Sequence, residues 1–193
     1  MMIGVTGSFG CGKTTVAKMF ARLGAYAIDV DKVYHSLIRR GEKCHKEIVK
    51  YFGKDILAKS GQIDREKLGK IVFKDRSKLK LLNSITYSGI MEEIKKIVKS
   101  KKSKFIIIDA PLLIESGFYK KVDSIILVAN KKEYQVKRIK ESTGLSVTEI
   151  LKRIRMQMPF KKKLAFADFI IDNSGSKLGT LTQVREIWKQ RGA

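Results

Sequence analysis

The sequence predicts an α/β fold: a doubly wound, five-stranded parallel sheet flanked by helices, with an inserted helical region and a small helical lid. Three observations carry the prediction. Five short apolar runs recur along the 193 residues, helical patterns separate them, and a glycine-rich turn stands between the first run and a helix. With 44% apolar residues the chain can bury a sizeable core.

The first apolar run, Met2 to Thr6, leads into Gly7-Ser8-Phe9-Gly10-Cys11-Gly12-Lys13-Thr14, which fits the phosphate-loop pattern G-x-x-x-x-G-K-[ST]. Glycines there let successive N–H groups face phosphate oxygens, and the following helix adds its positive N-terminal end. The motif predicts nucleoside triphosphate binding by residues 7 to 15. Lys13 is expected to reach the outer two phosphates and Thr14 to ligate Mg²⁺, with Thr15 completing the set. Thr15, Val16, Met19, Phe20 and Leu23 share one helical face, and Gly24 suits a C-terminal cap.

The second strand, Tyr26 to Asp29, ends in Asp29-Val30-Asp31. Ligands of such sheets bind at the carboxyl ends of the strands. If the chain stays extended, Asp29 and Asp31 point to one side, one towards the metal and the other towards an acceptor hydroxyl proton. The simpler reading makes Asp31 the cap of a helix over Lys32 to Arg39.

Residues 32 to 104 hold helical patterns only, including Cys44 to Phe52, Glu66 to Phe73 and Lys78 to Val98, with Gly41, Gly53 and Gly61 as punctuation. This region is expected to bind the acceptor. Phe105 to Asp109 is a third strand ending in a carboxylate, and Asp109 is expected to turn towards Mg²⁺ or Thr14. Glu115, in Pro111-Leu-Leu-Ile-Glu-Ser-Gly117, is either an acceptor-binding group or a loop carboxylate satisfied by backbone N–H groups.

Ser124 to Val128 is the fourth strand. The following Asn130-Lys131-Lys132-Glu133 imitates a guanine-reading signature, but ends in Glu, and Asp172-Asn173-Ser174-Gly175 comes after it in the wrong order for a GTPase. Residues 133 to 167 are expected to form the lid, with Ser146-Val147-Thr148-Glu149 as a capping box for a basic helix ending before Pro159. Asp168 to Ile171 is the fifth strand. Leu181, Val184, Ile187 and Trp188 then mark a helix packed on the sheet. The nucleotide core thus comprises 1 to 31, 105 to 132 and 168 to 193.

Net charge is +22, from 41 Lys and Arg against 19 Asp and Glu. Such an excess suits nucleic acid, a small phosphate-bearing substrate, or simply solvated lysine-rich faces. Aromatics are not interleaved with the basic runs as in a single-strand stacking platform. The two cysteines, Cys11 and Cys44, make neither a disulfide framework nor, with His35 and His45, zinc-ligand spacing. Cys11 fills a small position in the loop, where a lowered thiol pKa is conceivable. The longest apolar stretch, Phe105 to Ile114, is broken by Asp109 and Pro111 and falls short of the roughly 18 residues a membrane span needs. No basic leader precedes the first strand, so a cytoplasmic location without membrane attachment is expected.

Several segments together resemble the dephospho-coenzyme A kinase family of P-loop kinases. They are Gly4 through Ala17, Ile28-Asp-Val-Asp31, Arg65 through Phe73, Asp109 through Gly117, Arg153-Ile-Arg-Met-Gln-Met-Pro159, Ala167-Asp168 and Ile171-Asp-Asn-Ser-Gly175. The resemblance spans nearly the whole chain. It implies transfer of a phosphoryl group from MgATP to the ribose 3′-hydroxyl of dephospho-coenzyme A, the last step of coenzyme A synthesis. Asp31 matches the family's proposed base and Arg138 a retained lid arginine. Two departures stand out: Tyr87-Ser88 replaces a usual His-Pro, and Ser142 replaces a second lid arginine, leaving Arg138, Lys140, Arg153 or Arg155 to stabilise the transferring group. Other readings are another small-molecule P-loop kinase, acting on a nucleoside or nucleotide, and a nucleotide-controlled nucleic-acid binder.

If the charge excess does not serve a nucleic-acid site, RNA binding rests on phosphate contacts alone. Affinity measured by fluorescence anisotropy should then be weak and fall by about 10³-fold or more between about 50 and 200 mM salt, if six or more phosphates are touched. Tight, sequence-selective binding at the higher salt would instead favour the nucleic-acid binder.

Overall fold

The structure is a computed structural model that describes residues 1 to 193 apart from Phe73, Lys102 and Ala193. The chain divides into two compact units: Met1–Asp29 with Ser103–Ala193, and Val30–Lys102.

The first unit holds five parallel strands, β1 (Met2–Gly7), β2 (Tyr26–Asp29), β3 (Ile106–Asp109), β4 (Ser124–Ala129) and β5 (Phe169–Asp172), in the order β2-β3-β1-β4-β5. Ile3, Val5, Ile107, Ile126, Val128 and Ile171 join one core, while the alternating Ile106, Ile108, Ile125 and Leu127 are also buried. Burial on both faces explains why the strands read as unbroken apolar runs. Asp168 was expected to open the last strand, but its carboxylate accepts the Ile125 N–H at 2.7 Å, and β5 begins one residue later.

Among the described residues this unit has five α-helices, α1 (Lys13–Arg22), α6 (Lys132–Thr143), α7 (Val147–Arg155), α8 (Phe160–Leu164) and α9 (Lys177–Gln190), and a short 3-10 helix, Phe118–Lys121. Val16, Met19 and Phe20 of α1 and Val184 and Ile187 of α9 enter the same core. Trp188 lies 6.3 Å from Phe20 and 4.7 Å from Phe105 between ring centroids. The end of α1 is a Schellman closure, with Ala25 N–H donating to Phe20 O and Gly24 N–H to Ala21 O, both at 3.2 Å. Ser146 caps α7 with a full capping box.

The second unit is helical: α2 (Val30–Leu37), α3 (Lys43–Phe52), α4 (Arg65–Val72) and α5 (Arg76–Lys101). Ile38, Cys44, Ile48, Ile56, Ile63, Leu68, Val72, Leu82 and Ile85 form its core. Phe73, the expected end of α4, lies outside the described residues. Two expectations change here. The chain does not stay extended through Asp31, because β2 stops at Asp29 and the helix begins at Val30. For the same reason Asp31 is not a cap: it sits inside the first turn, where a carboxylate suits the helix dipole.

Without a proline at Tyr87-Ser88, α5 continues for 26 residues, and Ser88 donates its hydroxyl to Ile85 O at 3.1 Å. Cys44 and His45 turn to separate backbone partners, Ile85 O at 3.8 Å and Gly61 O at 3.0 Å. Among the described residues no helix is long and apolar enough to cross a membrane.

Candidate active site

The phosphate loop leaves the carboxyl end of β1, the central strand of the sheet, and feeds α1. Gly12 sits at φ +98° as the N-terminal boundary of α1. A Cβ there would lie 2.0 Å from Asn173 Nδ2, so both conformation and space require glycine. At Gly10 a Cβ would meet Ile139 of α6 at 2.3 Å. The close packing of α6 on the loop therefore depends on a missing side chain.

Four loop carbonyls are satisfied, two by the loop and α1 themselves and two from other elements. Ser8 O accepts from Cys11 N–H at 3.2 Å and from Lys13 Nζ at 3.1 Å. Gln135 donates to Ser8 Oγ at 3.1 Å and also to Phe9 O. Asn173 donates to Cys11 O at 2.8 Å and accepts from Thr180 Oγ1 at 3.0 Å. Gly12 O takes the Thr15 and Val16 N–H groups. Phe9 N–H donates to Gln157 Oε1 at 2.7 Å. The bonds to Ser8 O, Phe9 O, Cys11 O and Gly12 O turn those carbonyl dipoles away from any anion cradled by the loop, whereas the Phe9 N–H is itself occupied by Gln157. Gln135 carries no sequence signal of this role, whereas Gln157 and Asn173 stand within the family-like segments.

Lys13 is buried, with 9% exposure, and folds back over the loop. Thr14 donates its hydroxyl to Asp109 Oδ2 at 2.7 Å. Asp109 and Asp29 are register partners at the ends of the neighbouring strands β3 and β2. A hydroxyl and two carboxylates on adjacent elements form a hard oxygen donor set, which fits Mg²⁺ with water and phosphate completing its shell. Arg138 projects from α6 towards the loop: its NH1 would be 3.9 Å from a Cβ at Gly12. Arg153 of α7 places its guanidinium 5.6 Å from the Phe9 ring centroid, and all four candidate cations, Arg138, Lys140, Arg153 and Arg155, are exposed. Ser142 donates its hydroxyl to Ile139 O, within its own helix, at 3.3 Å.

The lowered thiol pKa conceived for Cys11 is corrected here. Burial pushes this thiol up, against the downward pull of Lys13, and its exposure is only 1%. Glu115 accepts from Met158 N–H at 2.9 Å and pairs with Lys163 Nζ at 3.0 Å. The backbone N–H component was legible as a possibility, and the lysine was not. Lys163, on α8, also donates to Pro111 O at 2.8 Å, and its side chain is 1% exposed. Burial lowers its pKa, Glu115 opposes that effect, and repulsion from Lys13 adds to it. A sequence reading treats Lys161-Lys162-Lys163 as one basic run, because only tertiary packing separates the buried member from its neighbours. Asp31 is exposed on α2 of the helical unit.

A family model for dephospho-CoA kinase matches residues 1–178. A dephospho-CoA kinase of Aquifex aeolicus is 45% identical, over 97% of this chain and 96% of that protein. One from Carboxydothermus hydrogenoformans is 42% identical, over 97% and 94%. Among solved structures, a Thermus thermophilus protein superposes with a TM-score of 0.90 at 27% identity, covering 100% of this chain and 98% of the other. The dephospho-CoA kinase of Campylobacter jejuni gives 0.67 at 30%, covering 98% and 96%. A shikimate kinase from Bacteroides thetaiotaomicron gives 0.56 at 15% over 100% and 99%, a likeness of fold.

The Glu115–Lys163 pair generates a stability prediction. Removing one partner of a buried pair strands the other charge, moderated here because Glu115 is 22% exposed. Lys163→Met should therefore cost about 1–3 kcal/mol in urea unfolding. A cycle with Glu115→Gln should show coupling of about 1 kcal/mol or more. Additive single effects would mean that the two groups do not support one another.

Proposed function

The chain belongs to the dephospho-CoA kinase family, and from that membership we propose how its residues divide the family's reaction among themselves. The reaction is ATP-dependent phosphorylation of the ribose 3′-hydroxyl of dephospho-coenzyme A, the last step of coenzyme A biosynthesis. The supporting observation is the Thr14–Asp109 bond beneath a phosphate loop whose carbonyls are bonded elsewhere.

In this proposal residues 7 to 15 cradle the ATP phosphates, through the loop N–H groups other than those of Phe9, Cys11 and Thr15, which bond within the protein, and Lys13 neutralises charge on the outer two. Thr14, Asp109 and Asp29 would hold Mg²⁺, which would supply positive charge to offset that of the phosphates. Arg138 contributes a planar fork suited to two oxygens of the transferring group. It is preferred over Arg153 because its guanidinium stands beside Gly12, where α1 begins, whereas that of Arg153 lies over the Phe9 ring. Asp31 accepts the proton of the acceptor hydroxyl as the 3′-oxygen forms its bond to phosphorus and the bond to the ADP leaving group breaks. Glu115 is read as supporting the acceptor side through Met158 and the Pro111 loop. Little covalent work falls to the protein, whose task is alignment and charge stabilisation. We place this activity in the cytoplasm, with a small-molecule acceptor and no specific nucleic-acid partner.

The reading is tested by ATP turnover with dephospho-coenzyme A set beside nucleosides, nucleoside monophosphates and RNA. Only the first should stimulate strongly, and stimulation by a nucleoside monophosphate instead would point to a different small-molecule kinase. Lys13→Ala should leave barely measurable activity. Asp31→Asn should lower kcat by about 10²- to 10⁴-fold, and a near-normal value would remove Asp31 from proton transfer. Arg138→Ala should lower kcat and kcat/KM together, whereas retained kcat alongside its loss in Arg153→Ala would move the catalytic cation to α7.

A further inference from the structure

Two glutamines from the stretch between β4 and β5 hold consecutive peptides of the phosphate loop. Phe9 N–H donates to Gln157 Oε1 at 2.7 Å, and Phe9 O accepts from Gln135 Nε2. A backbone N–H can only donate and a carbonyl can only accept, so each loop atom decides which end of its glutamine it meets. Gln135 is buried on α6, and Gln157 is half-buried just beyond the end of α7. Gln157 is itself tethered on both sides. Its own N–H donates to Ile154 O at 3.2 Å, and the next N–H, of Met158, donates to Glu115 Oε1 at 2.9 Å. Glu115 is in turn paired with the buried Lys163.

The peptide that Gln157 holds is also the seat of Lys13. Its carbonyl oxygen, Ser8 O, accepts from Lys13 Nζ at 3.1 Å and from Cys11 N–H at 3.2 Å. A peptide is planar and trans, so its C=O and N–H point in opposite directions, and a group that fixes one end fixes the other. The loop and α1 hold the carbonyl end, and Gln157 holds the N–H end from outside them. An ammonium has three donors. One is engaged at Ser8 O, which leaves the others for phosphate oxygens. Their direction depends on where Ser8 O stands.

We propose that Gln157 is a positioning residue for Lys13: by holding the plane of the Ser8–Phe9 peptide it sets the direction in which the ammonium is offered to the outer two phosphates. The proposal rests on the reading of Lys13 as the group that meets those phosphates. Gln157 itself touches neither substrate. Its part is to keep a charged donor from having to reorganise as charge develops on the transferring group, the condition under which such a donor stabilises most. The tether through Met158 and Glu115 extends this control to the segment that follows β3.

The test is a double-mutant cycle of Gln157→Leu with Lys13→Ala, read by calorimetric binding of MgATP and by steady-state kinetics. Leucine fills similar space and has no acceptor for the Phe9 N–H. With Lys13 present, Gln157→Leu should weaken MgATP binding about 5- to 30-fold and lower kcat/KM for ATP by a similar factor, while KM for dephospho-coenzyme A moves less than about twofold. In the Lys13→Ala background the same substitution should change MgATP binding less than about twofold, because no ammonium is left to position. Gln157→Ala, run in parallel, keeps the test open should Gln157→Leu fold poorly. An equal loss of MgATP binding in both backgrounds overturns the proposal, since Gln157 would then act on the cradle or the fold and not through Lys13. Lys13→Ala alone separates the two readings. Lost turnover there, with both Gln157 variants normal, overturns the positioning and leaves the role of Lys13 standing. Normal turnover there removes Lys13 from the phosphates, and the positioning with it.

Discussion

A loop that binds phosphate must turn its carbonyl oxygens away from the anion, and most of the structure around residues 7 to 15 answers that constraint. Ser8, Phe9, Cys11 and Gly12 each have their carbonyl oxygen hydrogen-bonded within the protein. The donors come from α6, from the residue after β5, and from the loop and α1 themselves. Segments distant in sequence therefore set the direction of a few peptide dipoles. The fixed dipoles need no reorganisation when charge develops on the transferring group, the condition under which electrostatic stabilisation is largest.

The same site concentrates positive charge in a region with little water. Lys13 and Lys163 are both buried, and Lys13 adds to the cost of the Lys163 charge. Glu115 and the Pro111 carbonyl offset that cost for Lys163. This arrangement also anchors α8 to the segment that follows β3, so one buried ammonium joins the basic 152–163 stretch to the strand carrying Asp109. The net charge of +22 thus has two components. Some cations are placed by burial and hydrogen bonds, and many, such as Lys70 paired with Glu66 on α4, sit on solvated helix faces, where a pair contributes little.

Much of the architecture was legible because its physical signal is local. Strands buried on both faces must be apolar throughout, and the five runs matched β1 to β5 within about a residue at each end. The capping box at Ser146 and the helix stop at Gly24 depend on side chains and backbone geometry within a few residues. Where a reading depended on the path of the chain, it failed. Asp29 and Asp31 share a side only in an extended chain, and a helix begins between them. The thiol of Cys11 was weighed by its neighbours in sequence, whereas its burial decides its direction of shift.

The sequence by itself determined the phosphate loop, the order of strands and helices along the chain, and the carboxylates at the ends of β2 and β3. Each follows from short-range rules of backbone conformation and hydrophobic periodicity. Tertiary structure alone decided that β3 lies between β1 and β2, which sets Asp29 beside Asp109 and Asp109 against Thr14. It also decided which cations of a lysine-rich chain are desolvated, and which amides support the loop. These are properties of pairs of residues separated by many positions, and the pairings exist only once burial has brought their elements together.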